Sequence, residues 1–216
     1  MLSLIREASE YNLGGWESLA GIPGSVGGAV RGNAGAFGTE IKDVTTRVWA
    51  LHRETYEIRV FDNHECEFSY RHSFFKDNPD WIVIRTELAL ESKSRSECDE
   101  LIEKTIAERE RRHLQNVKAA GSYFMNPTAP QSVIELFEKE KNVVAREGRV
   151  PAGWLIEKAG MKGAMHGGAM ASLQHPNYLV NTGNATAADV KALALEIKEK
   201  VSSVMGVILT EEAAQI

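Results

Sequence analysis

The chain has 216 residues, 43% hydrophobic and 25% charged, the balance of a globular protein of one or two domains rather than a disordered one. Lys and Arg total 25 against 30 for Asp and Glu, so the formal charge is −5, which argues against a broad basic footprint for nucleic acid. Two cysteines, Cys66 and Cys98, exclude a disulfide scaffold and a cysteine-built zinc or iron–sulfur centre, and no apolar run is long enough to span a membrane. The first dozen residues, MLSLIREASEYN, reach a charge at Arg6 without a long apolar core, so no signal peptide is expected and a reduced, cytoplasmic protein is the default.

Residues 21–38, GIPGSVGGAVRGNAGAFG, are dense in glycine, which disfavours a continuous helix or strand. Period-two alternation with β-branched and aromatic residues then predicts three antiparallel strands over 44–51, 56–61 and 81–88. Between the second and third lies FSYRHSFFK (68–76), a compact polar and aromatic segment. Residues 96–115 have helical spacing through Leu101, Ile102, Thr105, Ile106 and Arg109, with Ser96 and Asp99 as a capping box and ERERR (108–112) as a solvated face. Residues 131–148 are charged and helix-compatible, and PAGWLIEKAGMKG (151–163) reads as a short helix opened by Pro151 and stopped by Gly160. Residues 164–181 are strand-like and turn-rich. The last helix is capped by Thr186 with Asp189 three later, and Val190, Leu193, Ile197, Val201 and Val204 form one stripe. A short strand over 206–209 then leads to Glu211 and Glu212. The order predicts an α+β architecture in two parts, with a boundary near 116–122.

Several residues carry chemistry in this pattern. The Gly-rich run offers unhindered backbone N–H groups that cradle a phosphate, or it is a tight turn packed on itself; neither a P-loop nor a GxGxxG fingerprint is present. Asn33 within it suits a ligand or a turn. Arg71, flanked by aromatics, is placed either to stabilise developing negative charge or to stack structurally. Ser122, after Gly121, is a proton donor or a cap, and without a GxSxG elbow it is not a hydrolase nucleophile. The six histidines, His166 and His175 among them, show no metal-ligand spacing, so no metal is expected.

Taken together, GIPGSVGGAVRGNAGAFG, FSYRHSFFK, AAGSYFMNP, PAGWLIEKAGMKG, HPNYLVNTGNATAADV and GVILTEE resemble, in order, the signature blocks of the UDP-N-acetylenolpyruvoylglucosamine reductase family, the MurB-type flavoproteins of peptidoglycan precursor synthesis. The likeness runs from about Gly14 to Glu212. It implies part of a PCMH/VAO-like FAD-binding domain over 1–118, followed by a MurB-type substrate-binding α/β domain over 119–216. It further implies FAD and NADPH as cofactors, and reduction of UDP-GlcNAc-enolpyruvate to UDP-N-acetylmuramate.

Residue by residue, the resemblance implies that Arg71 stabilises the enolate, Ser122 donates a proton to the adjacent carbon, and Glu212 assists the arginine, with Glu211 as its neighbouring alternative. Gly24, Ser25, Val26, Gly27, Gly28, Asn33 and Gly35 fall in the family's flavin-contacting loop, and Tyr70, Asn126 and His175 match positions near the substrate. Met125 departs from the polar residue common at its position. The chain is also expected to start inside the flavin-binding region, to finish differently at 213–216, and to expose apolar residues of 1–60. A companion chain supplying the missing part is then an expected partner. The alternative is a shortened, non-catalytic paralogue that holds a sugar nucleotide or flavin.

Overall fold

The computed structural model describes residues 1–111 and 118–213, and the chain divides into two compact units, Met1–Arg111 and Arg112–Ile216. The expected helix end at 112–115 and the chain end at 214–216 lie outside the described residues.

The first unit opens with α1 (Leu2–Glu10), in which Ile5, Ala8 and Ser9 turn one face inward at helical spacing. After β1 (Leu13–Gly14) comes a helix inside the Gly-rich run, α2 (Val26–Arg31). Glycine disfavours helix, yet the Ser25 hydroxyl accepts the Gly28 N–H at 3.1 Å and Ala29 and Val30 are buried, so cap and core outweigh local propensity. β2 (Gly35–Ala36) and β3 (Thr39–Glu40) form a tight hairpin.

The three predicted strands are present as β4 (Thr45–His52), β5 (Ile58–Asp62) and, after the single turn α3 (Phe74–Asp77), β6 (Trp81–Leu88). They make an antiparallel sheet with β4 central. Val48, Ala50 and Phe61 point into the core with Trp16, Leu19, Ile41 and Phe75. Burying a side chain of that size contributes about 1.5–3 kcal/mol. The β4–β6 register passes from Trp49↔Arg85 to Ala50↔Val83, so a bulge at Ile84 turns both Ile84 and Arg85 outward. Arg85 stacks on Trp49 at 4.4 Å, and Ile58, Val60, Ile82 and Ile84 are exposed.

β7 (Glu91–Ser92) pairs with β1 and leads into α4 (Arg95–Arg111). Its cap differs from the expected one: the Ser94 hydroxyl accepts the Glu97 N–H, and the Glu97 carboxylate accepts the Ser94 N–H. Asp99 instead accepts the Ser9 hydroxyl at 2.8 Å.

The second unit contains α5 (Gln131–Lys141), α6 (Ala152–Lys158), a three-stranded antiparallel sheet of β8 (Met165–His166), β9 (Ala169–Ala171) and β10 (Leu179–Asn181), and α7 (Ala187–Met205). The Thr186–Asp189 capping box is formed, and Leu193, Ala194, Ile197 and Val201 enter a core with Phe124, Leu155 and Ile156. Residues 206–209 form no strand: Gly206 is the left-handed C-cap of α7, and Val207 and Leu209 join the core through their side chains, while the backbone pairing with the Phe124 segment comes after them, at Thr210 to Glu212.

Candidate functional site

The glycine-rich segment of the first unit lines an open cavity of about 230 Å³ bounded by Met1, Ile22, Pro23, Gly24, Ser25 and Gly28. Gly24 has φ +115, a left-handed conformation that side chains rarely adopt, and a Cβ there would meet nothing within 4 Å, so the backbone is bare on that side. Ser25 and Gly28 are exposed, whereas Val26 and Gly27 are half-buried, with Gly27 against the Val83 carbonyl of β6.

Asn33 is placed differently from a ligand-facing residue. It is fully buried, its Nδ2 donates to Glu40 at 3.1 Å and to the Ser69 carbonyl at 2.8 Å, and its Oδ1 accepts the Lys42 N–H at 3.2 Å. It ties the 33–42 turn to the segment that carries Tyr70 and Arg71.

Arg71 adopts φ +57, uncommon for a non-glycine residue, and its guanidinium lies over the Tyr70 ring at 5.1 Å. Its Nη2 donates to the Gly35 carbonyl at 2.8 Å, and the Arg71 carbonyl accepts from the Lys76 ammonium at 2.9 Å. The head group is therefore held at a defined place beside the Gly35–Ala36 strand, and the strained backbone marks a position the surroundings over-determine.

In the second unit the backbone from Ser122 to Met125 runs beside the chain end. The Glu212 N–H bonds the Tyr123 carbonyl at 2.8 Å, Phe124 bridges Glu211, and the Met125 N–H bonds the Thr210 carbonyl at 2.9 Å. Ser122 and Glu212 thus lie on adjoining backbones, both half-buried. Glu211 is also half-buried and reaches Lys198 of α7 at 3.5 Å.

Asn126 Oδ1 accepts the Ala152 N–H at 3.0 Å, fastening this segment to the start of α6. His175 packs edge-on to Tyr178 at 4.8 Å, near Gly153 of the same helix. Met125 and Asn126, with Thr128, Arg149, Ile208 and Thr210, line an open cavity of about 380 Å³, and Arg149 donates to the Asn126 carbonyl at 3.0 Å. A guanidinium therefore borders the cavity in which Met125 supplies no charge.

One residue the sequence reading did not select is Asn177, 2% exposed, which makes three hydrogen bonds to the backbone just after Ser122. In the sequence, HPN reads only as turn chemistry, and no local signal separates it from other turn asparagines.

Both cysteines are free and buried. Burial pushes the Cys66 thiol up to about 12 and the Cys98 thiol up to about 11. Among the described residues no group of His, Cys, Asp and Glu is arranged to hold a metal ion, and no helix is long and apolar enough to cross a membrane.

Residues 112–216 match the family model for the C-terminal domain of UDP-N-acetylenolpyruvoylglucosamine reductase. The UDP-N-acetylenolpyruvoylglucosamine reductase of Solibacter usitatus is 37% identical over 216 residues, covering 99% of this chain and 68% of that protein. The one from Carboxydothermus hydrogenoformans is 41% identical over 199 residues, covering 92% and 59%. The crystal structure of the MurB reductase from Thermus caldophilus matches with a TM-score of 0.73 at 32% identity, over 98% of this chain and 68% of that one. The chain thus spans about three-fifths to two-thirds of the length of the relatives it matches.

Proposed function

The chain belongs to the UDP-N-acetylenolpyruvoylglucosamine reductase family, and on that premise we propose that it takes part in the NADPH-dependent, FAD-mediated reduction of UDP-GlcNAc-enolpyruvate to UDP-N-acetylmuramate. The observation that carries this reading is the backbone pairing that sets Ser122 beside Glu212, joining two family blocks that lie 90 residues apart.

The residues around Gly24 fit a flavin nucleotide. A bare backbone at φ +115 faces open space beside a Ser25-capped turn, a surface that a pyrophosphate can approach closely. Pro23, Gly24, Ser25 and Gly28 would hold that group, and Val26 and Gly27, in the first turn of α2 with Gly27 against Val83 of β6, would support them. When bound, FAD supplies hydride-transfer chemistry, with NADPH as the electron source.

The chain's own residues supply orientation, charge and a proton. Arg71, a permanent cation held by Gly35, stabilises negative charge that develops on the enolpyruvyl carboxylate and the enolate oxygen. Ser122 gives its hydroxyl proton to the carbon adjacent to the one that receives hydride. The carbon–carbon double bond becomes single, and the serine oxygen regains a proton from solvent. A serine hydroxyl is a weak acid in water, so this role needs a fixed, partly dry placement. The family resemblance assigns Glu212 to assist the arginine and Tyr70, Asn126 and His175 to substrate binding, and within the second unit Arg149 offers beside Asn126 the cation that Met125 lacks, suited to a nucleotide phosphate.

The test starts from the visible spectrum of the purified chain after incubation with excess FAD and desalting. Stoichiometric retained flavin, bleached by NADPH and restored anaerobically by UDP-GlcNAc-enolpyruvate, is expected. A chain that holds flavin but is not reoxidised by that substrate would overturn the catalytic reading in favour of a binding paralogue. A colourless chain would assign the flavin site to a companion chain.

A further inference from the structure

Asn177 lies two residues before β10 and is buried against the backbone that follows Ser122. Its main-chain carbonyl accepts the Tyr123 N–H at 2.8 Å. Its side-chain Oδ1 accepts the Phe124 N–H at 2.9 Å, and its Nδ2 donates to the Phe124 carbonyl at 2.8 Å. The carboxamide thus does what a peptide group of a neighbouring strand would do, at a place where no strand runs.

Two features make this more than a packed asparagine. The first is cost: a carboxamide taken out of water is tolerated only because both of its polar atoms find a partner on the Phe124 backbone. The second is position. The Ser122–Tyr123 peptide plane carries the Tyr123 N–H, so the bond from that N–H to Asn177 fixes the plane to which the serine is attached.

The opposite edge of the segment is held by Thr210 and Glu212. The Ser122 loop is therefore gripped from both sides, by the chain end on one and by Asn177 on the other. On the N-terminal side Gly121 stands at φ +94, and a Cβ there would meet nothing within 4 Å.

We propose that Asn177 is the positioning residue of the proton donor: it fixes the backbone of Tyr123 and Phe124 and through it the direction in which the Ser122 hydroxyl is presented. The inference rests on the reading of Ser122 as the group that protonates the substrate carbon. Proton transfer from a weakly acidic hydroxyl depends steeply on distance and angle, and a misplacement of about 1 Å costs on the order of a hundredfold.

The test uses the full chain and Asn177→Asp, which keeps the volume and the acceptor for the Phe124 N–H but sets a carboxylate oxygen against the Phe124 carbonyl. Amide hydrogen exchange followed by NMR is expected to quicken about tenfold or more at Tyr123 and Phe124, with Leu193 and Ile197 of α7 unchanged. In the flavin-loaded protein, reoxidation by UDP-GlcNAc-enolpyruvate is expected to slow about tenfold to a hundredfold while reduction by NADPH keeps its rate.

The Ser122→Ala/Asn177→Asp double variant is expected to reoxidise no more slowly than Ser122→Ala, because a residue acting only through Ser122 adds nothing once that hydroxyl is gone. Additive losses, unchanged exchange at Tyr123 and Phe124, or exchange loosened throughout the second unit would each overturn the proposal. If the wild-type flavin is not reoxidised at all, the functional reading fails on its own, and the exchange pattern alone decides whether Asn177 fixes the Ser122 peptide. Should Asn177→Asp fail to fold, Asn177→Gln moves the same amide one methylene outward and carries the same measurements.

Discussion

The Arg71 guanidinium donates from Nη2 to the Gly35 carbonyl oxygen across 2.8 Å, linking the head group of the proposed enolate-stabilising residue to the end of the glycine-rich segment. The two residues are 36 apart in sequence, and Asn33 fastens the same two segments two residues earlier through the Ser69 carbonyl. The end of the glycine-rich segment and the cation are thus one mechanical piece within the first unit.

That contact leaves no room for a side chain at position 35. A Cβ there would stand 3.1 Å from Arg71 Nη1, 3.1 Å from the Thr39 carbonyl and 2.8 Å from Glu40 Cγ. Gly35→Ala is therefore expected to displace the guanidinium and lower the rate of substrate reduction about tenfold or more, with flavin reduction by NADPH little changed. Stopped-flow traces of the two half-reactions check this, and equal rates in wild type and variant for the substrate step would refute the Gly35 contact as a positioning device.

Glu17 contributes to the pH dependence of the first unit. Its side chain is 6% exposed, with the Gly15 N–H at 3.0 Å and the Lys93 ammonium at 3.2 Å. Burial pushes its carboxyl up, but hydrogen bonds from its own backbone, the Cys98 thiol, Gly15 and Lys93 together outweigh burial and hold it below the usual carboxylate range. A depressed value in the folded state means the stabilisation is fully present above the unfolded value near about 4.3 and is lost as pH falls through the folded one. Glu17→Gln is expected to lower the unfolding free energy by about 1–3 kcal/mol at pH 7. In denaturant titrations from pH 7 to 3, the gap between the two proteins should close on the acid side; a gap independent of pH would assign the effect to packing alone.

Much of this fold is legible in the chain, and the parts that are not share a cause. The strands β4 to β6 announce themselves because one face is buried and the alternation records it, and α7 does so through the Thr186–Asp189 box and its apolar stripe. The helix Val26–Arg31 is hidden, since its formation rests on Ser25 and on burial of Ala29 and Val30 rather than on its glycines. Segment 206–209 looks like a strand by composition, yet strandhood needs a partner ladder, and the backbone pairing with the Phe124 segment comes later, at Thr210 to Glu212. The same limit separates Arg71 and Ser122, visible as members of motifs, from Asn177, whose role exists only in its contacts with Tyr123 and Phe124.

The outer face of the β5–β4–β6 sheet is apolar, with Ile58 at 58%, Ile84 at 51% and Ile82 at 48% exposure around the Arg85-stacked Trp49. Contiguous exposed apolar surface of this kind binds hydrophobic dyes and promotes association. The Ile82→Lys/Ile84→Lys double variant is expected to bind markedly less dye than wild type, with unfolding free energy within about 0.5 kcal/mol because neither side chain enters the core. Sedimentation velocity over a concentration series and dye titration test this together. Undiminished dye binding would locate the apolar patch elsewhere.

Helix α7 supplies Leu193, Ala194, Ile197 and Val201 to the core of the second unit, so the device that starts it bears on the whole unit. The Thr186 hydroxyl accepts the Asp189 N–H at 3.1 Å, and the Asp189 carboxylate accepts the Thr186 N–H at 2.8 Å, satisfying two backbone donors that the helix itself cannot. These bonds, the backbone one first, hold the Asp189 carboxyl below its ordinary value. Thr186→Ala removes one acceptor and is expected to cost about 1 kcal/mol, whereas Thr186→Ser keeps the oxygen and should stay within a few tenths. Chemical denaturation of both variants, read by α-helical circular dichroism, separates the cap from side-chain packing: equal losses in Ala and Ser would mean that the Thr186 methyl group, not its hydroxyl, holds the start of α7.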